Sequence, residues 1–139
     1  MAYFDKEFDK LILAEGRYVN DPDDAGGETY LGISRKANPT WNGWVAIDYV
    51  KHNFGTFGIG SRLKRDTELT KKAKQLYKEK YWDVLDLDNV DNQKVAHELF
   101  DTAVNCGINT AIRIAQQTLD IKADGKLTEE FKDTIKRMK

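Results

Sequence analysis

One cysteine, Cys106, stands in a chain of 139 residues. It cannot close an internal disulfide, so the fold does not depend on an oxidising compartment and the chain reads as made in a cytoplasm. Histidine is almost as scarce, and His52, His97 and Cys106 show no zinc-ligand spacing, which leaves no local motif for a zinc site. Long apolar runs are missing. Nowhere do about 18 apolar residues follow one another, so no transmembrane helix is expected. The opening MAYFDKEFDK lacks the basic start and unbroken apolar core of a signal peptide, so any export would need help from another protein. Neither sign of charge dominates: 22 basic against 23 acidic side chains give a formal net charge of -1. That removes a global basic field for nucleic acid or an anionic membrane and favours a neutral or mixed-charge ligand. There is no G-x-S-x-G, and NFGTFGIG (53–60) lacks the Gly-Lys-Ser/Thr ending of a phosphate loop, so its glycines read as tight turns.

What is present fits a single globular domain, since 139 residues and 15.9 kDa allow one core but no second full domain. Tyr3, Phe4, Phe8, Leu11 and Ile12 recur at helical spacing and predict an amphipathic helix over 2–14, with Gly16 as its C-terminal signal. Residues 20–27 crowd Asp, Pro and Gly into a loop, and Glu28 to Ile33 can pair with Arg17 to Val19 as a small, mostly exposed hairpin. Further helices are expected over 41–52, from Thr67 to Trp82 with Asp66 as N-cap, over 93–104, 110–119 and 128–138. The fold class is therefore mainly α, with a small β-hairpin beside a polar loop.

Function is concentrated in Leu13 to Ser34, LAEGRYVNDPDDAGGETYLGIS. A carboxylate at the end of a helix, half shielded by the core and next to a loop bearing more carboxylates, is the arrangement glycoside cleavage requires. One carboxyl must stay protonated to donate to the leaving oxygen, which burial achieves by raising its pKa, while another stays ionised across the sugar. Glu15 suits the first role. Asp21, Asp23 and Asp24 are candidates for the second, and Thr29 can orient a water because a hydroxyl both donates and accepts. A turn cap at Glu15 and aspartates that merely solvate the loop form the plainer reading. Calcium fits worse. An EF-hand template laid on Asp21 puts Ala25 at a ligand position and Gly32 where the closing Glu belongs, and one laid on Asp120 ends on Phe131. Tyr81 and Trp82, ending a helix, read first as a core pair, although sugar rings also stack on exposed aromatics.

Glu15-Gly16-Arg17-Tyr18-Val19-Asn20-Asp21-Pro22, then Asp24, Gly26-Gly27-Glu28-Thr29 and Gly32-Ile33-Ser34 resemble the E-G-G-Y-V-N-D-P-x-D-x-G-G-x-T-x-x-G-I-[ST] signature of the glycoside hydrolase family 108 muramidases. These are lysozyme-like endolysins and secretion-activator-type proteins of phages and bacteria. Leu76-Tyr77 with Tyr81-Trp82-Asp83 resembles that family's Y-x-x-x-Y-W-D helix end, and Phe100 to Gly107 its F-D-x-A-V-N-x-G helix. The resemblance covers nearly the whole chain. It implies a lysozyme-like catalytic domain over 1–104 and, over 105–139, helices resembling a truncated peptidoglycan-binding segment packed on the same domain. It also implies that Glu15 is the general acid that cleaves the β-1,4 bond between N-acetylmuramic acid and N-acetylglucosamine. Asp24 and Thr29 fall where phage-type muramidases place a second carboxylate and a water-orienting threonine. Tyr18, Asn20 and Asp21 then shape the glycan cleft, with Tyr81, Trp82 and Asn105 as cleft or supporting residues.

No metal or organic cofactor is implied. The implied partner is bacterial peptidoglycan, met by a monomer that reaches the wall or periplasm with a holin, in a phage particle or by another secretion route. Arg17 departs from the second glycine of the signature, and Glu28 stands where a small residue is common. In the C-terminal segment Gln117, Leu119 and Asp124-Gly125 fit the family's Q-x-x-L-G-x-x-x-D-G-x-x-G-P-x-T pattern, but Lys126 to Glu130 lacks its Gly-Pro ending. A non-catalytic peptidoglycan-binding or structural part of a phage tail or secretion apparatus is the alternative reading.

Overall fold

The structure, a computed structural model, describes residues 1–15, 17–23 and 27–138, with Ala14 and Glu15 described by backbone alone. The first amphipathic stretch forms α1 (Phe4–Glu15), whose last residue is the glutamate that opens the polar signature. Three short strands come next, β1 (Tyr18–Asn20), β2 (Glu28–Tyr30) and β3 (Ile33–Ser34). They form one antiparallel sheet in the order β1-β2-β3. Helices account for most of the rest: α2 (Gly43–Phe54), α3 (Ile59–Lys64), α4 (Thr67–Tyr77), α5 (Gln93–Cys106), α6 (Ile108–Thr118) and α7 (Glu129–Lys136). The fold is mainly helical with a small sheet near its N-terminal region, as the residue periodicities predict. No helix among the described residues is long and apolar enough to cross a membrane.

The expected hairpin is a three-stranded sheet, and it is not mostly exposed. Tyr30, Leu31 and Ile33 are all buried, because β3 adds a second pairing, Thr29 with Ser34 and Tyr30 with Ile33. Two residues, Leu31 and Gly32, make the turn between β2 and β3, both with positive φ (51° and 78°). That is the left-handed pair a two-residue hairpin turn needs. Leucine is an unusual occupant of such a turn. Its side chain is buried and its N–H donates to the Arg17 carbonyl at 3.3 Å, so packing and a hydrogen bond offset the backbone strain.

By its contacts the chain divides into two compact units, residues 8–76 and residues 1–7 with 77–139. The 104/105 boundary expected from the family resemblance falls inside α5, which runs to Cys106. In the unit of residues 8–76, Trp41 and Trp44 meet edge to face at 5.1 Å. Their indole N–H groups donate to the carbonyls of Lys72 at 3.3 Å and Asn38 at 2.7 Å. Trp41 lies so close over the start of α2 that a Cβ on Gly43 would come within 2.3 Å of its ring, which only glycine avoids. Asp66 caps α4 as the sequence suggests, accepting from the Leu69 N–H at 3.0 Å.

The expected single helix from Thr67 to Trp82 changes pitch: after α4, residues Lys78–Trp82, which belong to the other unit, form a π-helical turn. Such a turn inserts one residue and rotates the chain beyond it. Here the turn brings Trp82 into an aromatic group with Phe4 at 5.4 Å and Phe100 at 5.8 Å, with its indole N–H donating to Asp88 at 2.8 Å. Glu7 is buried, accepts from Gln93 Nε2 at 2.9 Å and sits 2.5 Å from His97 Nδ1. A buried carboxylate without such partners would be strongly destabilising. Farther on, the buried Gln116 donates to Asp124 and accepts from the Gly125 N–H, both at 2.9 Å, pinning the connection between α6 and α7.

Candidate active site

Glu15 closes α1, as the helical pattern requires, and its side chain lies outside the described atoms, as does the whole of Asp24. The loop between β1 and β2 is described up to Asp23. Asp21 is exposed, and its Oδ1 accepts from the Asp23 N–H at 2.9 Å. This is a local Asx turn.

The strand register decides which side chains share a face. Tyr18 pairs with Tyr30, Val19 with Thr29 and Asn20 with Glu28. Side chains alternate along a strand, so Tyr18, Asn20, Glu28 and Tyr30 occupy one face of the sheet and Val19 and Thr29 the other. The Tyr18 hydroxyl donates to Glu28 and is also hydrogen-bonded to Asn20. Thr29 Oγ1 is half-buried and donates, at 3.5 Å, to the carbonyl of Val19 directly across the strand pair. The sequence grouped Tyr18, Asn20 and Thr29 as one site; the sheet separates Thr29 from the other two.

On the Tyr18 face lies a charge cluster that motif reading did not assemble. Glu28 accepts from Tyr18, from Lys51 Nζ at 2.9 Å and from Arg35 Nη1 at 2.9 Å. Arg35 also makes a two-pronged pair with Asp48, at 2.7 and 2.8 Å, and its guanidinium lies 5.1 Å from the Trp44 ring centroid. Trp44, Asp48 and Lys51 recur along α2 at helical spacing, so a single helix face presents the indole, the acid and the cation to the sheet. That spacing was the available signal. The Glu28 side chain is only 9% exposed, and burial alone would raise its pKa. The hydrogen bonds from Lys51, Tyr18 and Arg35 outweigh burial and hold it below the ordinary value. For Tyr18 burial and the Glu28 carboxylate act together, pushing the phenol well above its usual range. The Arg35 guanidinium likewise holds Asp48 below its usual value.

Glu28 is therefore an ionised anchor between β2 and α2, with its oxygens engaged by cations, and is poorly suited to donate or accept a proton in a reaction. Its depressed pKa, and that of Asp48, link the cluster to acid stability. Both contribute stability above their unfolded-state values, 4.5 and 3.8, and lose it as pH falls through the lower folded values. The thermal midpoint should thus drop as pH is taken from about 5 towards 3. Glu28→Gln should be about 1 to 2 kcal/mol less stable at pH 7, allowing for the solvent that reaches Lys51 and Arg35, and should show a shallower acid slope. Midpoints across that pH range check both; an unchanged slope would mean that the cluster does not hold the sheet.

Tyr81 is half-buried and stacks on Tyr77 with ring centroids 5.9 Å apart. Burial raises its hydroxyl pKa. Trp82 is fully buried, so its place is support and not a surface for a sugar ring. Asn105, near the end of α5, is exposed and donates to Asp101 at 2.9 Å (O) and 3.2 Å (Oδ1). Among α5, α6 and α7 an apolar groove of about 320 Å³ is lined by Leu99, Ala111, Ile114 and Ile135, with Lys94 and Glu98 also contributing. Among the described residues of the same unit, Tyr81, Trp82 and Asn105 do not line it. The described residues contain no group of three or more His, Cys, Asp or Glu that could hold a metal ion.

Comparison with known proteins adds to this geometry. The family model described as Glycosyl hydrolase 108 matches residues 8–107, a span that takes in the end of α1, the sheet and all the helices up to α5. Among solved structures, SagA of Brucella abortus superposes with a TM-score of 0.63 at 23% sequence identity. The match covers 98% of this chain and 70% of that one. At that identity the likeness speaks for a shared fold. No curated protein sequence matches the chain. Since the family match extends over most of its length, the chain belongs to the glycosyl hydrolase 108 family.

Proposed function

We propose that the protein is a peptidoglycan muramidase that hydrolyses the β-1,4 bond between N-acetylmuramic acid and N-acetylglucosamine, with Glu15 as general acid. The observation that carries this reading is the family match over residues 8–107, combined with the position of Glu15 as the last residue of α1, directly before the sheet. A helix end offers a rigid mount beside an irregular segment, as a proton donor at a glycosidic oxygen needs. In this reading Asp24 is the second carboxylate, and Thr29, on the sheet face opposite the Glu28 cluster, orients the water. Asp21, beside Glu15 in the same polar signature, borders the glycan path. Tyr18 and Asn20 act one step back, by holding Glu28 and with it the strand that carries Thr29.

The protein acts at the bacterial cell wall as a monomer, carried there by a holin, a phage particle or a secretion route. Digestion of purified sacculi followed by mass spectrometry of the soluble fragments tests the chemistry. Muramidase action should release disaccharide peptides with N-acetylmuramic acid at the reducing end. Fragments ending in N-acetylglucosamine, or cut only in the peptide stems, would sink the proposal.

A further inference from the structure

The end of α2 and its link to α3 carry a feature that glycan cleavage does not call on. Residues 52–58, His-Asn-Phe-Gly-Thr-Phe-Gly, are all exposed, and they present two large apolar rings to solvent: Phe54 is 52% and Phe57 97% exposed. Isolated exposed apolar residues are ordinary, but a phenylalanine with almost its whole surface in water contributes nothing to the core. Gly55 and Gly58 bracket Phe57, with φ of 75° and 67°, and a Cβ on either would meet nothing within 4 Å. Their backbone conformation shapes a projecting bend, and no packing demand explains it.

Charge on this segment is one-sided. No acidic residue occurs between Asp48 and Asp66, while Lys51, Arg62, Lys64 and Arg65 do. Lys51 is committed to Glu28. Arg62 lies 4.2 Å from the Phe54 ring centroid, and among the described residues Arg62, Lys64 and Arg65 have no carboxylate partner. A chain with net charge of -1 thus carries a local patch of apolar tip and cationic base. A sugar ring can stack on an exposed phenylalanine, but such stacking leaves the cationic base without a use. The same pair of features suits the boundary of an anionic bilayer, where rings enter the acyl region and guanidinium and ammonium groups meet lipid phosphates.

We infer that the 52–65 segment is a peripheral docking element for an anionic phospholipid surface, with Phe54 and Phe57 entering the interface and Arg62, Lys64 and Arg65 lying against the headgroups. The assignment is independent of the catalytic reading, because binding is measured without turnover. Co-sedimentation with vesicles of equal parts phosphatidylglycerol and phosphatidylcholine should retain the wild-type chain at 50 mM salt and release most of it at 500 mM. Phosphatidylcholine vesicles alone should retain little. Phe57→Ser and the Arg62→Gln/Lys64→Gln/Arg65→Gln triple variant should each weaken retention at least about tenfold, the loss of one buried ring or of about three headgroup contacts. Both change exposed side chains, so their thermal midpoints should match wild type and exclude misfolding as the cause. Absence of binding to anionic vesicles, or binding that Phe57→Ser leaves intact, overturns the inference. So does a Phe57→Ser loss confined to purified sacculi, which would assign the patch to wall polymer.

Discussion

Glu15→Gln should slow the clearing of purified sacculi by about 100- to 10,000-fold, the contribution typical of a positioned general acid. The amide keeps the shape and polarity of the acid but has no proton to deliver to the leaving oxygen. Because Glu15 is the terminal residue of α1, the exchange should leave the helix, and hence the thermal midpoint, close to wild type. The variant should retain its hold on sacculi, since binding and protonation are separate demands. Turbidity and reducing-end release, each normalised to folded protein, measure the effect. Clearing at the wild-type rate would remove Glu15 from the mechanism. Asp24→Asn, made in parallel, distinguishes a two-carboxylate displacement from one in which a positioned water suffices.

Trp82→Ala should be the most damaging single truncation to stability, by about 3 to 5 kcal/mol. The side chain is completely buried. It meets Phe4 and Phe100 at centroid distances of 5.4 and 5.8 Å, and these rings cannot collapse onto an alanine without repacking α1 and α5. In a domain of this size the loss should lower the thermal midpoint by on the order of 10 °C or more. Trp82→Phe provides the contrast. It keeps much of the apolar contact but leaves a small cavity and removes the indole donor to Asp88, so it should cost about 1 to 2 kcal/mol, well short of the alanine variant. If the two variants unfold together, packing is not what makes this residue matter.

Both outcomes bear on how much a reader of the bare sequence could see. Long amphipathic stretches were legible: α1, α2, α5, α6 and α7 arise within a few residues of where the 3.6-residue period puts them. The N-cap at Asp66 was legible too, because a capping carboxylate is a local device. What escaped depended on partners remote in sequence. β3 is two residues long and has no pattern of its own, yet its pairing turns an exposed hairpin into a partly buried sheet. α3 hides in a glycine-rich run and owes its existence to Ile59 and Leu63 being drawn into the core. The π-helical turn at Lys78–Trp82 leaves no mark in a helical period. Of the candidate site, the position of Glu15 at the end of α1 follows from the helical period. The separation of Thr29 from Tyr18 and Asn20 arises from a register that no single strand reveals, and the Glu28 cluster gathers residues from β2, α2 and the intervening connection.

The turn at Leu31 sets two opposed demands on one position. Its backbone conformation favours asparagine or glycine, whereas its surroundings reward a bulky aliphatic group. Randomising that codon and selecting for heat resistance would be a contest between the two. The winners should be few and greasy, and a designer guided by turn statistics alone would choose a sequence that loosens the very corner it was meant to tighten.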